Sequence, residues 1–316
     1  MKQFIMKVTF AFGFLFLVSF IFLGFGFFIN KYDLLAKEYK DAYPENKELG
    51  IDACIKGSEQ EIRSFTVKGE GAKSIPVLTY HRIIDKNDLS KRHYIDGEIN
   101  PMIVTTENFR NQMKYLKEND FVALTLEELY SFLSRDVKIP EKSVVITFDD
   151  GYKDNYVEAY PILKEYGFQA ASFLITGSIS NRIQPYTPEY VQYFSTKELT
   201  KACDVFHYES HTYNLHKRDH EKSGALTPYL LSKSGKSVKK DLGISLFHLE
   251  GENLAFAYPY GEYSPDTIDT LKELGFKMAF TTEEALATPE SHIYEIPRYQ
   301  IFHSVTLKQF KSYVDQ

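Results

Sequence analysis

Two adjacent carboxylates, Asp149 and Asp150, end an apolar, β-branched run in Thr147-Phe148-Asp149-Asp150-Gly151. Burying two acids beside an apolar core is costly unless they are paired, hydrogen-bonded or metal-bound. In a regular strand they would face opposite sides. Gly151 permits a turn that brings them together, and a plain Asp-Asp-Gly turn is the alternative. Two histidines lie in Ser210-His211-Thr212-Tyr213-Asn214-Leu215-His216. A spacing of five puts them about 140° apart on a helix. They can share one ion only on a bend, and two unconnected loop histidines are the alternative. His81 ends a third apolar run in Thr79-Tyr80-His81, and Tyr258-Pro259-Tyr260-Gly261 ends a fourth. One Asp and two His fill three metal positions and leave one for water, the pattern of a catalytic zinc site. The second Asp and His81 are then free to act as base and acid.

These residues need elements to hold them. Residues 75–80, 143–148, 170–175, 205–208, 254–258 and 278–281 read as strands. The run at 143–148 is apolar throughout, as a strand buried on both faces requires. Residues 106–119, 126–133, 157–166 and 265–274 read as helices. Thr106 is the expected N-cap of the first, and Gly167 and Gly275 stop the last two. Strand–helix alternation over residues 75–316 predicts a parallel α/β fold, open or closed into a barrel. Such folds bind ligands at the C-terminal ends of their strands, where all four features fall. Residues 217–240, rich in Lys, Ser and Gly, break the alternation and read as a surface excursion.

The N-terminus differs from the rest. Ten of the chain's 25 Phe lie in residues 1–30, whose only charges are Lys2 and Lys7. Residues 8–29 carry no charge. As a helix they would span roughly 33 Å, enough for a bilayer core of about 30 Å. The preceding lysines put the N-terminus in the cytoplasm and the remainder outside. The run lacks the small-residue cleavage pattern of a signal peptide. The expected organisation is a cytoplasmic tip and transmembrane anchor over 1–30, an extracellular stalk over 31–74 and a catalytic domain over 75–316. A short helix is expected over 32–43. Removing the two lysines from the net charge of −6 leaves −8 for residues 31–316. An acidic body argues against nucleic-acid binding. Cys54 and Cys203 lie outside the membrane on this topology, where disulfides form. A bridge and two free buried thiols both fit their spacing.

The motifs at 147–151, 211–216 and Pro259-Tyr260-Gly261 resemble those of the polysaccharide deacetylase (NodB homology) family, carbohydrate esterase family 4. The resemblance covers about residues 75–299. Pro76-Val77-Leu78-Thr79-Tyr80-His81 and the five-residue histidine spacing resemble the subgroup of poly-β-1,6-N-acetylglucosamine and related cell-wall glycan deacetylases. The resemblance implies a distorted (β/α) barrel. It implies Asp149 as general base, His81 as general acid and the Tyr260 backbone N–H at the oxyanion. It implies Asp150, His211 and His216 as ligands of a divalent metal, usually Zn2+, with Co2+ or Ni2+ accepted by similar sites. Many members carry an arginine where this chain has Ala257. Arg298 is the candidate to replace it and orient the base. The family's usual late histidine is missing, and His303 is the nearest late alternative to His81. With no Trp in the chain, sugar stacking falls to tyrosines such as Tyr152, Tyr213 and Tyr260. The expected function is a membrane-anchored, extracellular, metal-dependent N-deacetylase of N-acetylglucosamine units in poly-N-acetylglucosamine, peptidoglycan or a wall-polysaccharide linkage. An O-acetyl esterase acting on a glycan and a catalytically silent glycan-binding module are the alternatives.

Overall fold

The computed structural model describes residues 2, 6, 9, 12–26 and 42–316, except 68, 136 and 221–223. The chain divides into two units, Met1–Ala42 and Tyr43–Gln316. In the first, residues 12–26 are helical and Phe12, Phe16, Phe22 and Leu23 are exposed. Among the described residues no helix is long and apolar enough to cross a membrane. The remainder of the 8–29 run lies largely outside the described residues, as does the short helix expected over 32–43.

The second unit is built on a parallel sheet. Its strands are β1 (Val77–Tyr80), β2 (Val122–Ala123), β3 (Ser143–Phe148), β4 (Ala170–Leu174), β5 (Phe206–Ser210), β6 (Ala255–Ala257), β7 (Met278–Phe280) and β8 (Tyr299–Gln300). They run in the order β7-β6-β5-β4-β3-β1-β8, with β2 paired to the start of β3. The sheet curls into a half-barrel. Residues 296–300 cross its seam: Ile296 bridges Phe280 of β7, while Tyr299 and Gln300 pair with Leu78 and Thr79 of β1. The resemblance implies a distorted barrel; the sheet is a curled half-barrel, and among the described residues only that short strip crosses its seam.

Strand β3 is buried along its whole length. Val144, Ile146 and Phe148 point to one core, and Val145 points to another. That two-sided burial is why its sequence shows no polar alternation. The outer core is filled by helices α1 (Thr106–Glu118), α3 (Tyr160–Tyr166) and α7 (Leu307–Val314) through Phe109, Met113, Leu116, Ile162, Leu163 and Phe310. Helix α2 (Leu126–Leu133) covers the inner core with Leu126 and Leu129, and α4 (Thr196–Ala202) adds Leu199 to the outer one. A third core joins Phe256 to α5 (Gly235–His248) and α6 (Pro265–Glu273). Thr105, not Thr106, caps α1, its hydroxyl accepting from Asn108 N–H.

Two sequence expectations change. Residues 43–74 are not a free stalk. Tyr43, Leu49 and Ile51 are buried in the outer core, and Cys54 is disulfide-bonded to Cys203. The segment straps the body because its few apolar residues have a core to enter. The excursion at 217–240 contains a hairpin, Arg218–His220 with Leu226–Pro228, and the start of α5. Low apolar content hid both from a reading based on periodicity.

Candidate active site

Four strand ends converge on one cleft of about 520 Å³. β1 delivers His81, β3 delivers Asp149 and Asp150, and β5 delivers His211 with the following His216. The turn after β6 delivers Tyr258 and Tyr260. Three of the four departures, those after β3, β5 and β6, are made by an unusual backbone. Asp150 (φ 73°) and Gly151 (φ 75°) are both left-handed. At that φ any side chain on Gly151 is strained, and its Cβ would lie 2.7 Å from Leu174 Cδ2. This double turn places the two neighbouring carboxylates in one site. Beyond β5, Thr212 at φ 76° breaks the strand and supplies the bend that a five-residue histidine spacing requires. Asp241 of α5 holds the loop, its two carboxylate oxygens accepting from Tyr213 N–H and Asn214 N–H at 2.9 Å each.

Asp150, His211 and His216 bring one ligand atom each to within 4.8 Å of the others. Asp150 Oδ1 lies 3.6 Å from His211 Nε2 and 3.3 Å from His216 Nε2, yet accepts no hydrogen bond. His211 Nδ1 donates to the Ala257 carbonyl oxygen at 2.7 Å. With Nδ1 as the donor, its Nε2 lone pair turns toward Asp150, the outer-shell arrangement common to metal-binding histidines. Burial, then the neighbouring His216, pulls the His211 pKa down to about 4, which keeps the imidazole neutral. A buried carboxylate oxygen with no hydrogen-bond partner, facing two histidine ring nitrogens, fits a divalent cation.

Asp149 has different neighbours. Its carboxylate accepts two hydrogen bonds from Arg298, Nη1 to Oδ1 at 2.8 Å and Nη2 to Oδ2 at 2.7 Å. Arg298 is fully buried on the strip that crosses the seam. Its Nε donates to Thr281 O, and its guanidinium packs against both the Phe173 and Phe280 rings. Burial alone would raise the Asp149 pKa. Arg298 and then His211 outweigh it and hold the carboxyl well below the usual range. Ala257, where the resemblance implies an arginine, is buried in the inner core.

His81 is half-buried and lines the cleft. Asn155 fixes its backbone by donating to His81 O at 2.7 Å. Asp154 ties the next two residues through Arg82 Nε and Ile83 N–H. His303 is directed elsewhere, its Nδ1 3.2 Å from Ile103 O, and it does not line the cleft. Of the tyrosines expected to meet sugar, Tyr152 and Tyr260 line the cleft. Tyr213 is buried, its hydroxyl donating to Tyr43 O. Sequence reasoning overlooked Asp154, Asn155, Asp241 and Arg218. Of these only Arg218 left a signal: it is the sole arginine of the 217–240 excursion and follows His216 by two residues.

A family profile described as polysaccharide deacetylase matches residues 136–279. The chain is 31% identical over 272 residues to YxkH of Bacillus subtilis (strain 168), whose name also carries polysaccharide deacetylase. That match covers 86% of this chain and 85% of YxkH. It is 33% identical over 231 residues to a poly-β-1,6-N-acetyl-D-glucosamine N-deacetylase of Staphylococcus aureus (strain MSSA476), covering 71% of this chain and 77% of the relative. Among solved structures, the Streptococcus pyogenes deacetylase PplD in complex with acetate aligns with a TM-score of 0.64 at 26% identity. That alignment covers 77% of this chain and 99% of PplD. With this sequence similarity, and with the Asp–His–His cluster at the ends of its parallel strands, the chain belongs to the polysaccharide deacetylase family, the NodB-type enzymes of carbohydrate esterase family 4.

Proposed function

We propose that the protein removes N-acetyl groups from N-acetylglucosamine units of a cell-surface polysaccharide, using a divalent metal held by Asp150, His211 and His216. The observation that carries this reading is the pairing of two unlike carboxylates in one cleft. Asp149 is locked ionised by Arg298, and Asp150 is left open between two histidines. A metal bound at the second supplies Lewis-acid polarisation of the acetamide carbonyl and lowers the pKa of water. The chain's own residues do the rest. Asp149 takes a proton from water as its oxygen bonds to the carbonyl carbon. The Tyr260 N–H meets the developing oxyanion. The C–N bond then breaks while His81 protonates the nitrogen, because an expelled amide anion would be far too basic. Acetate and a glucosamine unit result.

The S. aureus relative acts, by its name, on poly-β-1,6-N-acetyl-D-glucosamine, and that polymer is the substrate we favour. The apolar 8–29 run preceded by two lysines supports a single-pass anchor with the domain outside. The Cys54–Cys203 bridge supports an oxidising compartment. The test is acetate release by the full chain in detergent, from β-1,6-linked N-acetylglucosamine oligomers and from acetylated xylan, with and without chelator. Release from the oligomers, abolished by chelator and restored by zinc, is expected. Release from xylan alone would make the protein an O-acetyl esterase. His81→Ala is expected to lower kcat about 10²–10⁴-fold, with His303→Ala near wild type. The reverse order would reassign the acid.

A further inference from the structure

We infer that Arg218 is a positioning residue for the oxyanion side of the site, acting through Tyr260. The inference rests on the deacetylase reading above and adds a role for the 217–240 excursion. Tyr260 is a bulky residue in the left-handed region, at φ 60° and ψ 9°. Side chains disfavour that conformation, so the surroundings must hold it. The next residue is packed tightly: a Cβ on Gly261 would fall 2.0 Å from Thr282 Oγ1. The Tyr260 ring has partners at two points. His216 lies with its ring centroid 4.6 Å away, and the Arg218 guanidinium sits 4.1 Å from the ring centroid. Arg218 also grips the far side of the same turn, its Nη2 donating to Glu262 Oε1 at 2.5 Å.

The guanidinium therefore holds the turn from two directions. Its Nε is buried without a hydrogen-bond partner, so the stack and the ion pair set its place. The hairpin Arg218–His220 with Leu226–Pro228 explains how it arrives. Arg218 opens the first strand of that hairpin, two residues after His216, and lies against the turn that follows β6. A flat, delocalised cation can stack and ion-pair at once, which a lysine ammonium does poorly. Loss of Arg218 frees the Tyr260 ring and lets the strained backbone relax, moving the N–H that faces the oxyanion.

The experiment compares the zinc-loaded full chain with Arg218→Ala and Arg218→Lys in detergent. Acetate release from β-1,6-linked N-acetylglucosamine oligomers, zinc affinity by chelator competition, and the Tyr260 amide resonance in 15N-tyrosine-labelled protein are read together. The resonance is assigned by its loss in Tyr260→Phe. In Arg218→Ala we expect kcat to fall roughly tenfold, since small misplacements of a reacting geometry cost that much or more. KM should stay within about twofold, because the lost interaction belongs to the transition state. Zinc affinity should be unchanged, and the Tyr260 amide peak should shift or broaden. Arg218→Lys should fall between, and it decides the matter if the alanine variant does not fold. A raised KM at constant kcat would make Arg218 a substrate contact instead. Zinc affinity falling together with kcat would mean that it acts through His216. An unmoved Tyr260 amide overturns the inference whatever the rates. Absence of acetate release by wild type overturns the deacetylase reading, with the amide peak still deciding the positioning role.

Discussion

At the scale of single residues, the site depends on two neighbouring carboxylates having opposite environments. Asp149 is buried yet ionised because Arg298 gives it a two-pronged, charge-assisted partner. Burial works against the charge, and Arg298 is the first of the groups that overcome it. Arg298→Met leaves the burial term and removes its main opponent, so the Asp149 pKa must rise. The acidic limb of the kcat/KM profile is therefore expected to move to higher pH, with a lower plateau. Arg298→Lys should restore part of the charge but not the fork. An unmoved limb in Arg298→Met would remove Asp149 from the role of base. The same depressed pKa stabilises the fold above the ordinary aspartate value of about 4, and that contribution is lost as pH falls below it. Breaking the pair leaves a buried charge alone, a loss of about 3–5 kcal/mol, measurable by denaturant unfolding.

At the scale of elements, strand ends and the loops after them do the positioning. The loop from His211 to His216 makes its bend at Thr212 and is anchored by Asp241 from a different helix. Asp241→Asn keeps one acceptor but turns an NH2 group toward a backbone donor. Zinc affinity is expected to fall about tenfold, the usual scale for losing an outer-shell partner, as read by chelator competition. Unchanged affinity would mean that the loop holds its shape unaided. Most of this geometry was legible in the sequence. The strands carrying His81, Asp149, Asp150 and His211 show as apolar runs ending in polar residues, because parallel strands bury both faces and expose their ends. The double left-handed turn announces itself only through Gly151. Asp241 and Asp154 were not legible. Each acts by capping backbone N–H groups that its own neighbourhood does not contain, and one sequence carries no trace of such long-range partners. Arg298 was legible only as a substitute for an expected arginine, and its place was fixed by the seam crossing at 296–300.

At the scale of the whole molecule, the catalytic body begins near Tyr43 rather than at residue 75. The strap carries Tyr43, Leu49 and Ile51 into the core and Cys54 into a bridge to Cys203, 149 residues along the chain. Closing so long a loop in the unfolded state stabilises the fold by about 2–5 kcal/mol. Cys54→Ser with Cys203→Ser is expected to lose that much in denaturant unfolding. Residues 43–316 are expected to fold when residues 75–316 alone do not, and equal stability of the two pieces would make the strap an ornament. The central claim is that one cleft hydrolyses an acetamide through Asp149 beside a metal held by Asp150, His211 and His216. Its most direct test is acetate release from β-1,6-linked N-acetylglucosamine oligomers by the full chain and by Asp149→Asn, each titrated with zinc. Wild type is expected to release acetate in proportion to bound zinc. Asp149→Asn is expected to bind zinc as tightly and release acetate at least about 10²-fold more slowly. Wild-type rates in the zinc-loaded variant, or no release by wild type at full zinc occupancy, would contradict the account.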